Sequence, residues 1–187
     1  LLKPGATGLL ALDWNNGNRT ILVDVRLTGL ILGQTLHTEA HEIYRALIEA
    51  TAFGALAIIE RMEEYGIRID EVVNTGGLAI KNATLMQIYA DILGRPLKVA
   101  ASEQTCALGA AIFGAVSGGT VTIPEVQQAC CRMREVQYTP ISENQAVYKE
   151  IYALYKTLHD AFGLPSWSGS LATVMKELIA IRQRQRG

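Results

Sequence analysis

The run EVVNTGGLAIKNATLMQ, beginning at Glu71, brings two glycines, a lysine and an asparagine to the end of a short apolar stretch. Gly76 and Gly77 remove side chains where a strand would meet the following turn, so a flat base or a phosphate can come close to the backbone. A helix starting just beyond would add unpaired N–H groups and a partial positive charge, and Lys81 could neutralise a phosphate. The same residues also read as a plain tight turn followed by a helix cap at Asn82, and at this level both readings stand. Neither GxGxxG nor GxxxxGK[ST] occurs, which disfavours dinucleotide-binding and P-loop folds.

Other reactive side chains carry weaker signals. His37 and His41 in HTEAH are four apart, as in some zinc proteases, but the glutamate is misplaced for a general base and His37 precedes the expected helix start, so no metal site is expected. Cys106, Cys130 and Cys131 are too few and too poorly spaced for a disulfide framework, and all three are expected to be reduced thiols, with Cys106 buried in an alanine-rich helix. No serine or cysteine has a base visible beside it, so no catalytic residue is assigned in this chain.

The net charge of −1 and pI of about 6.4 give no electrostatic footprint for nucleic acid or an acidic membrane surface. No apolar run has the length of a membrane span and no signal-peptide pattern opens the chain, which points to the cytoplasm. The first residue is leucine within LLKPGATG, and a larger parent protein is expected.

The elements that must position these residues follow from periodicity and punctuation. An apolar run at 8–13, followed by an Asn-Gly turn, predicts a hairpin with a second strand at 20–24, and a further extended stretch covers 27–36. A long helix is predicted from a Thr38 cap to Tyr65, closed by Gly66, with Ile43, Leu47, Ala50, Gly54, Ala57 and Ile58 on its buried face. A strand at EVVNT, a helix from Asn82 to Gly94, a strand at LKVA and a helix at 103–116 make a βαβ-type layered sheet. After Pro124 helices joined by REVQYTPIS are predicted. One is capped by Ser142 and Gln145 and carries a stripe of Tyr148, Ile151, Tyr155, Leu158 and Phe162; the last spans 171–184, with Leu171, Val174, Leu178 and Ile181 inward.

The run TGGLAIKNATLMQIYADILGRPLKVAASEQTCALGAAIFGAV resembles the adenosine-binding region of the FGGY carbohydrate kinases: a glycine pair, a short turn, MQ, AD, a G-R-P strand entry, then E and ALGAA. GNRT resembles the family's G-x-R-T loop, and TEAHEIYRALIEATAFG its long helix into the nucleotide lobe. The resemblance implies an α/β, ribonuclease H-like lobe of the actin, hexokinase and Hsp70 type, with a mixed sheet flanked by helices and C-terminal helices added. It implies a nucleotide-binding lobe at 1–130 and a helical extension at 131–187 packed on the same lobe. ATP and Mg2+ are the implied cofactors, a sugar the implied substrate, and an N-terminal kinase lobe the implied partner, bearing the general base; a homo-oligomer is left open. By resemblance, Gly76 and Gly77 pack against the nucleotide, Lys81 and Asn82 border the base, and Ala107 to Ala111 support the site. The turn before LMQ is one residue longer than in some relatives. The lobe alone would hold half a nucleotide site and be inactive. A non-catalytic adenine-nucleotide-binding module and an assembly surface on the tyrosine helix are the competing classes.

Overall fold

A computed structural model describes residues 2–187. In chain order the elements are β1 (Leu10–Leu12), β2 (Leu30–Leu32), α1 (Ala40–Glu64), β3 (Val72–Asn74), α2 (Gly77–Lys81), α3 (Ala83–Leu93), β4 (Leu97–Ala100), α4 (Thr105–Val116), α5 (Ile123–Cys130), β5 (Met133–Tyr138), α6 (Ser142–Gly163) and α7 (Val174–Arg186). They divide into two compact units. One holds the chain up to Ile69 together with Asp91–Gly94 and Pro140–Gly187, and the other holds Asp70–Ala90 and Arg95–Thr139.

In the first unit β1 and β2 are antiparallel, with Ala11 opposite Ile31. The predicted strand at 20–24 does not form. The Asn18 side-chain oxygen accepts the N–H groups of Ile21 and Leu22 at 3.3 and 3.1 Å, and a single bridge pairs Asn18 with Asp24. A side chain that satisfies the backbone locally takes it away from a sheet ladder.

Helix α1 starts after Glu39 rather than after Thr38. The Thr38 hydroxyl accepts the N–H of Thr35 at 2.8 Å, while the Glu39 N–H donates to the Glu42 carboxylate at 3.0 Å. Its end is as expected: Gly66, at φ +80°, donates to Glu63 O and Ile67 donates to Met62 O, the pattern that satisfies the last carbonyls through a left-handed glycine. The buried stripe is displaced from the predicted one. Ala46, Glu49, Ala50, Phe53 and Ala57 are buried, whereas Ile43, Leu47, Gly54 and Ile58 are half-buried.

Opposite this stripe lies α6. Phe53 meets Tyr148, Tyr152 and Tyr155 at ring-centroid distances of 6.1, 5.8 and 5.4 Å, so the tyrosine stripe is core packing. Phe162, assigned to that stripe, is 52% exposed, and Leu171 lies outside α7 and is exposed. Buried Glu49 is held by Arg45 Nε at 2.6 Å and by the Tyr148 hydroxyl at 2.8 Å, and Arg45 Nη2 donates to Tyr148 Oη at 2.7 Å. Burial raises the Glu49 carboxyl above the usual carboxylate range, opposed by Arg45. The start of α6 has no Ser142–Gln145 box. Buried Asp91, in the last turn of α3, accepts the Ile141 N–H and the Asn144 side-chain amide, both at 2.8 Å. A carboxylate supplies the negative charge that a helix N-terminus favours.

The second unit contains a three-stranded mixed sheet in the order β3-β4-β5. β3 and β4 are parallel, with Val73 opposite Lys98, and β4 and β5 are antiparallel, with Leu97 opposite Tyr138. The segment read as a connection between helices is therefore strand β5. Its side chains are exposed except for half-buried Tyr138, so it lacks the in–out alternation that marks a strand in sequence. Within this unit Gln87 Nε2 donates to Thr139 O at 2.9 Å, and Met86 is fully buried beside the Asn74 amide.

Two outcomes follow for stability. Arg45→Met strands a buried carboxylate and is expected to lower unfolding free energy by ~3–5 kcal/mol, and Tyr148→Phe by ~1.5–3 kcal/mol. Because the two share Glu49, a double-mutant cycle in urea should show a coupling above about 0.5 kcal/mol; additive losses would contradict the network. Burial lowers the pKa of His159, while its neighbour Asp160 opposes this and Lys156 and Arg61 reinforce it. The unfolded chain then takes up the proton first. Stability should be full above the unfolded value of about 6.5 and fall as pH drops from there toward the folded value. This acid-side loss should shrink in His159→Gln, and an unchanged pH slope would count against it.

Candidate functional site

The glycine pair sits at the end of β3, in the second unit. Gly76 has φ +89° and ψ 173°, a region that is essentially glycine-only, and it forms the N-cap of α2. Gly77 begins α2, a helix of five residues, so a short helix follows the pair at once, ahead of α3, which starts at Ala83 as expected. A Cβ built on either glycine meets nothing within 4 Å. The space above this backbone is open, and the protein's own packing does not require it to be bare. Leu78, next in the chain, is 72% exposed.

Lys81 is exposed in the last turn of α2. Asn82 closes α2 by donating its N–H to Leu78 O at 3.0 Å and opens α3 by accepting the Leu85 N–H on its side-chain oxygen at 3.0 Å. Its oxygen is thereby committed to structure, while its side-chain NH2 group has two donors to offer. Gly76, Gly77, Lys81 and Asn82 thus fall within one short helical connection between β3 and α3.

Helix α4 has no charged residue. It buries Ile112, whereas Cys106, Ala107, Ala110, Ala111, Phe113 and Gly114 are exposed. Cys106 is therefore not the buried thiol expected, because the alanine-rich helix carries an apolar outer face as well as an inner one. His41 Nδ1 lies 3.2 Å from the Glu39 carboxylate, with both side chains exposed, and no group of three metal-ligating residues occurs among the described residues. Two mainly apolar cavities of about 310 and 210 Å³ lie in the first unit and include none of the glycine-turn residues.

The motif residues MQ and AD proved to be structural. Met86 fills the core, Gln87 holds the Thr139 carbonyl, and Asp91 caps α6. Sequence reading missed these roles because each partner lies in another element; Asp91, a carboxylate inside an otherwise apolar helix ending, was the available signal.

In the second unit a strand, a side-chain-free turn and a short helix are accompanied by an uncharged small-residue helix. The chain belongs to the FGGY family of carbohydrate kinases, and residues 2–118 match the family's C-terminal domain. It is 54% identical over 166 residues to a ribulokinase of Geobacillus thermodenitrificans, covering 86% of this chain and 29% of that protein. It is 48% identical over 189 residues to a ribulokinase of Halalkalibacterium halodurans, covering 98% and 33%. The fold matches the crystal structure of a xylulose kinase from Rhodospirillum rubrum with a TM-score of 0.69 at 30% identity, over 86% of this chain and 33% of that one. The chain thus spans about a third of the length of these relatives. No helix among the described residues is long and apolar enough to cross a membrane.

Asn82→Ala removes the cap of α3 and is expected to lower stability by ~1 kcal/mol in urea unfolding; no change would show that the Leu85 contact carries no weight.

Proposed function

We propose that this chain is the nucleotide-binding lobe of a kinase that transfers the γ-phosphoryl group of ATP to a hydroxyl of L-ribulose. The observation that carries the reading is the open backbone at Gly76 and Gly77, in a chain 54% and 48% identical to two ribulokinases. The space a Cβ would fill at either glycine fits the close approach of an adenosine. In this scheme Gly76 and Gly77 pack against the nucleotide, and Lys81 and the Asn82 amide group border the base.

Bound ATP supplies the phosphoryl group. The contribution of this chain is to bind and orient the nucleotide and, when the two lobes close, to help exclude water that would otherwise hydrolyse it. The general base and most sugar contacts are assigned to the remainder of the kinase chain. The uncharged outer face of α4 suits packing against that remainder, because leaving Phe113 and the alanines in water gains nothing. Mg2+ has no acidic cluster to receive it among the described residues. A cytoplasmic enzyme fits this reading. A kinase for xylulose is the second reading, favoured by the 30% identical xylulose kinase.

The test uses the full-length kinase. At Gly77 an added Cβ meets nothing within 4 Å among the described residues, so Gly77→Val should fold with an unchanged melting temperature yet lose more than about tenfold in ATP affinity, over ~1.4 kcal/mol. Unchanged affinity in a folded variant would overturn the assignment. Turnover of L-ribulose against D-xylulose decides the sugar.

A further inference from the structure

At the junction of α5 and β5, Cys130 is exposed and Cys131 half-buried, both as free thiols. The backbone there is pinned on each side. The Cys131 N–H donates to Gln127 O at 2.8 Å as the helix ends, and Cys131 then turns extended at φ −84° and ψ 129°. The next residue, Arg132, donates from Nη1 to Gln128 O at 2.8 Å and to Cys131 O at 3.0 Å, and its own carbonyl accepts the Ala101 N–H at 2.9 Å. The Cys130 thiol donates to Val126 O at 2.8 Å, a bond it can give up to solvent or to a ligand.

Two neighbouring thiols have three general uses, and the geometry removes two of them. Consecutive Cα atoms lie about 3.8 Å apart across a trans peptide, below the roughly 4.4–6.8 Å span of unstrained disulfides, so closing the pair on itself is disfavoured. A structural zinc site needs four ligands, and no group of three His, Cys, Asp or Glu residues is assembled among the described residues. What remains is a soft centre with two valences to share.

We propose that Cys130 and Cys131 form a two-sulfur site for trivalent mono-organoarsenic compounds. An arsenic(III) atom already bound to one carbon needs two further bonds, and soft thiolate sulfur is its preferred donor. With an arsenoso compound R–As=O, two As–S bonds form, the arsenic–oxygen bonding is broken, and the two thiol protons leave with that oxygen as one water. Arsenic stays trivalent and no oxidant is required. The site is independent of the nucleotide-binding reading.

The test is intact-mass analysis of the reduced protein after treatment with phenylarsine oxide, followed by excess 2-mercaptoethanol or 2,3-dimercaptopropanol. One phenylarsine unit per chain is expected, with two thiol hydrogens lost. It should resist the monothiol, which cannot match a chelate, and be removed by the dithiol. Cys130→Ser and Cys131→Ser should each abolish the monothiol-resistant adduct, and Cys106→Ser should retain it. An adduct stripped by 2-mercaptoethanol in the unsubstituted protein, or a resistant adduct surviving in Cys131→Ser, would overturn the proposal.

Discussion

Strand β3 ends at Asn74, and two residues later the backbone adopts φ +89° and ψ 173°, a conformation that a side chain would make costly. That one constraint sets the local architecture of the second unit. It directs the chain from the sheet straight into α2, which in turn hands it to α3 through Asn82. It also leaves a patch of main chain uncovered. Some glycines elsewhere are crowded: a Cβ on Gly33 would lie 2.2 Å from Gly8 O, and one on Gly94 would lie 2.4 Å from Gln145 Nε2, whereas one on Gly66, Gly109, Gly114 or Gly119 would meet nothing within 4 Å, as at the glycine pair. At Gly77 no such contact exists, so its bareness is free to serve a ligand.

The helix that follows is fixed in a different way. Met86, Gln87 and Asp91 spend their side chains on the core, on the Thr139 carbonyl and on the start of α6. These residues resemble the family's motif, yet their role is to fix elements. Motif residues that look functional can be the anchors that keep a functional backbone in place. In this account ligand-related work in the chain falls on the main chain of the glycine pair with Lys81 and Asn82 beside it, while buried Glu49 ties α1 to Tyr148 of α6 and buried His159 packs against Trp14.

The sequence carried much of the plan, and its failures share a cause. Helix ends marked by glycine, such as Gly66, and the parallel pairing of EVVNT with LKVA were legible because local rules govern them. The glycine pair was legible as an opening, and the added-Cβ geometry sharpens it. Features set by distant partners were not. Burial of Glu49 depends on Tyr148, 99 residues on, and the α6 cap comes from Asp91, 50 residues before Ile141. Strand β5 was missed because it is exposed on both faces, and the 20–24 strand was overpredicted because Asn18 satisfies that backbone from the side. Periodicity reports burial on one element, and none of these is a one-element property.

The most direct measurement of the central claim is a crystal structure of the complete kinase bound to a non-hydrolysable ATP analogue. The account places the adenosine in van der Waals contact with the main chain of Gly76 and Gly77. A nucleotide bound at full occupancy elsewhere, with that backbone still bare, would contradict it.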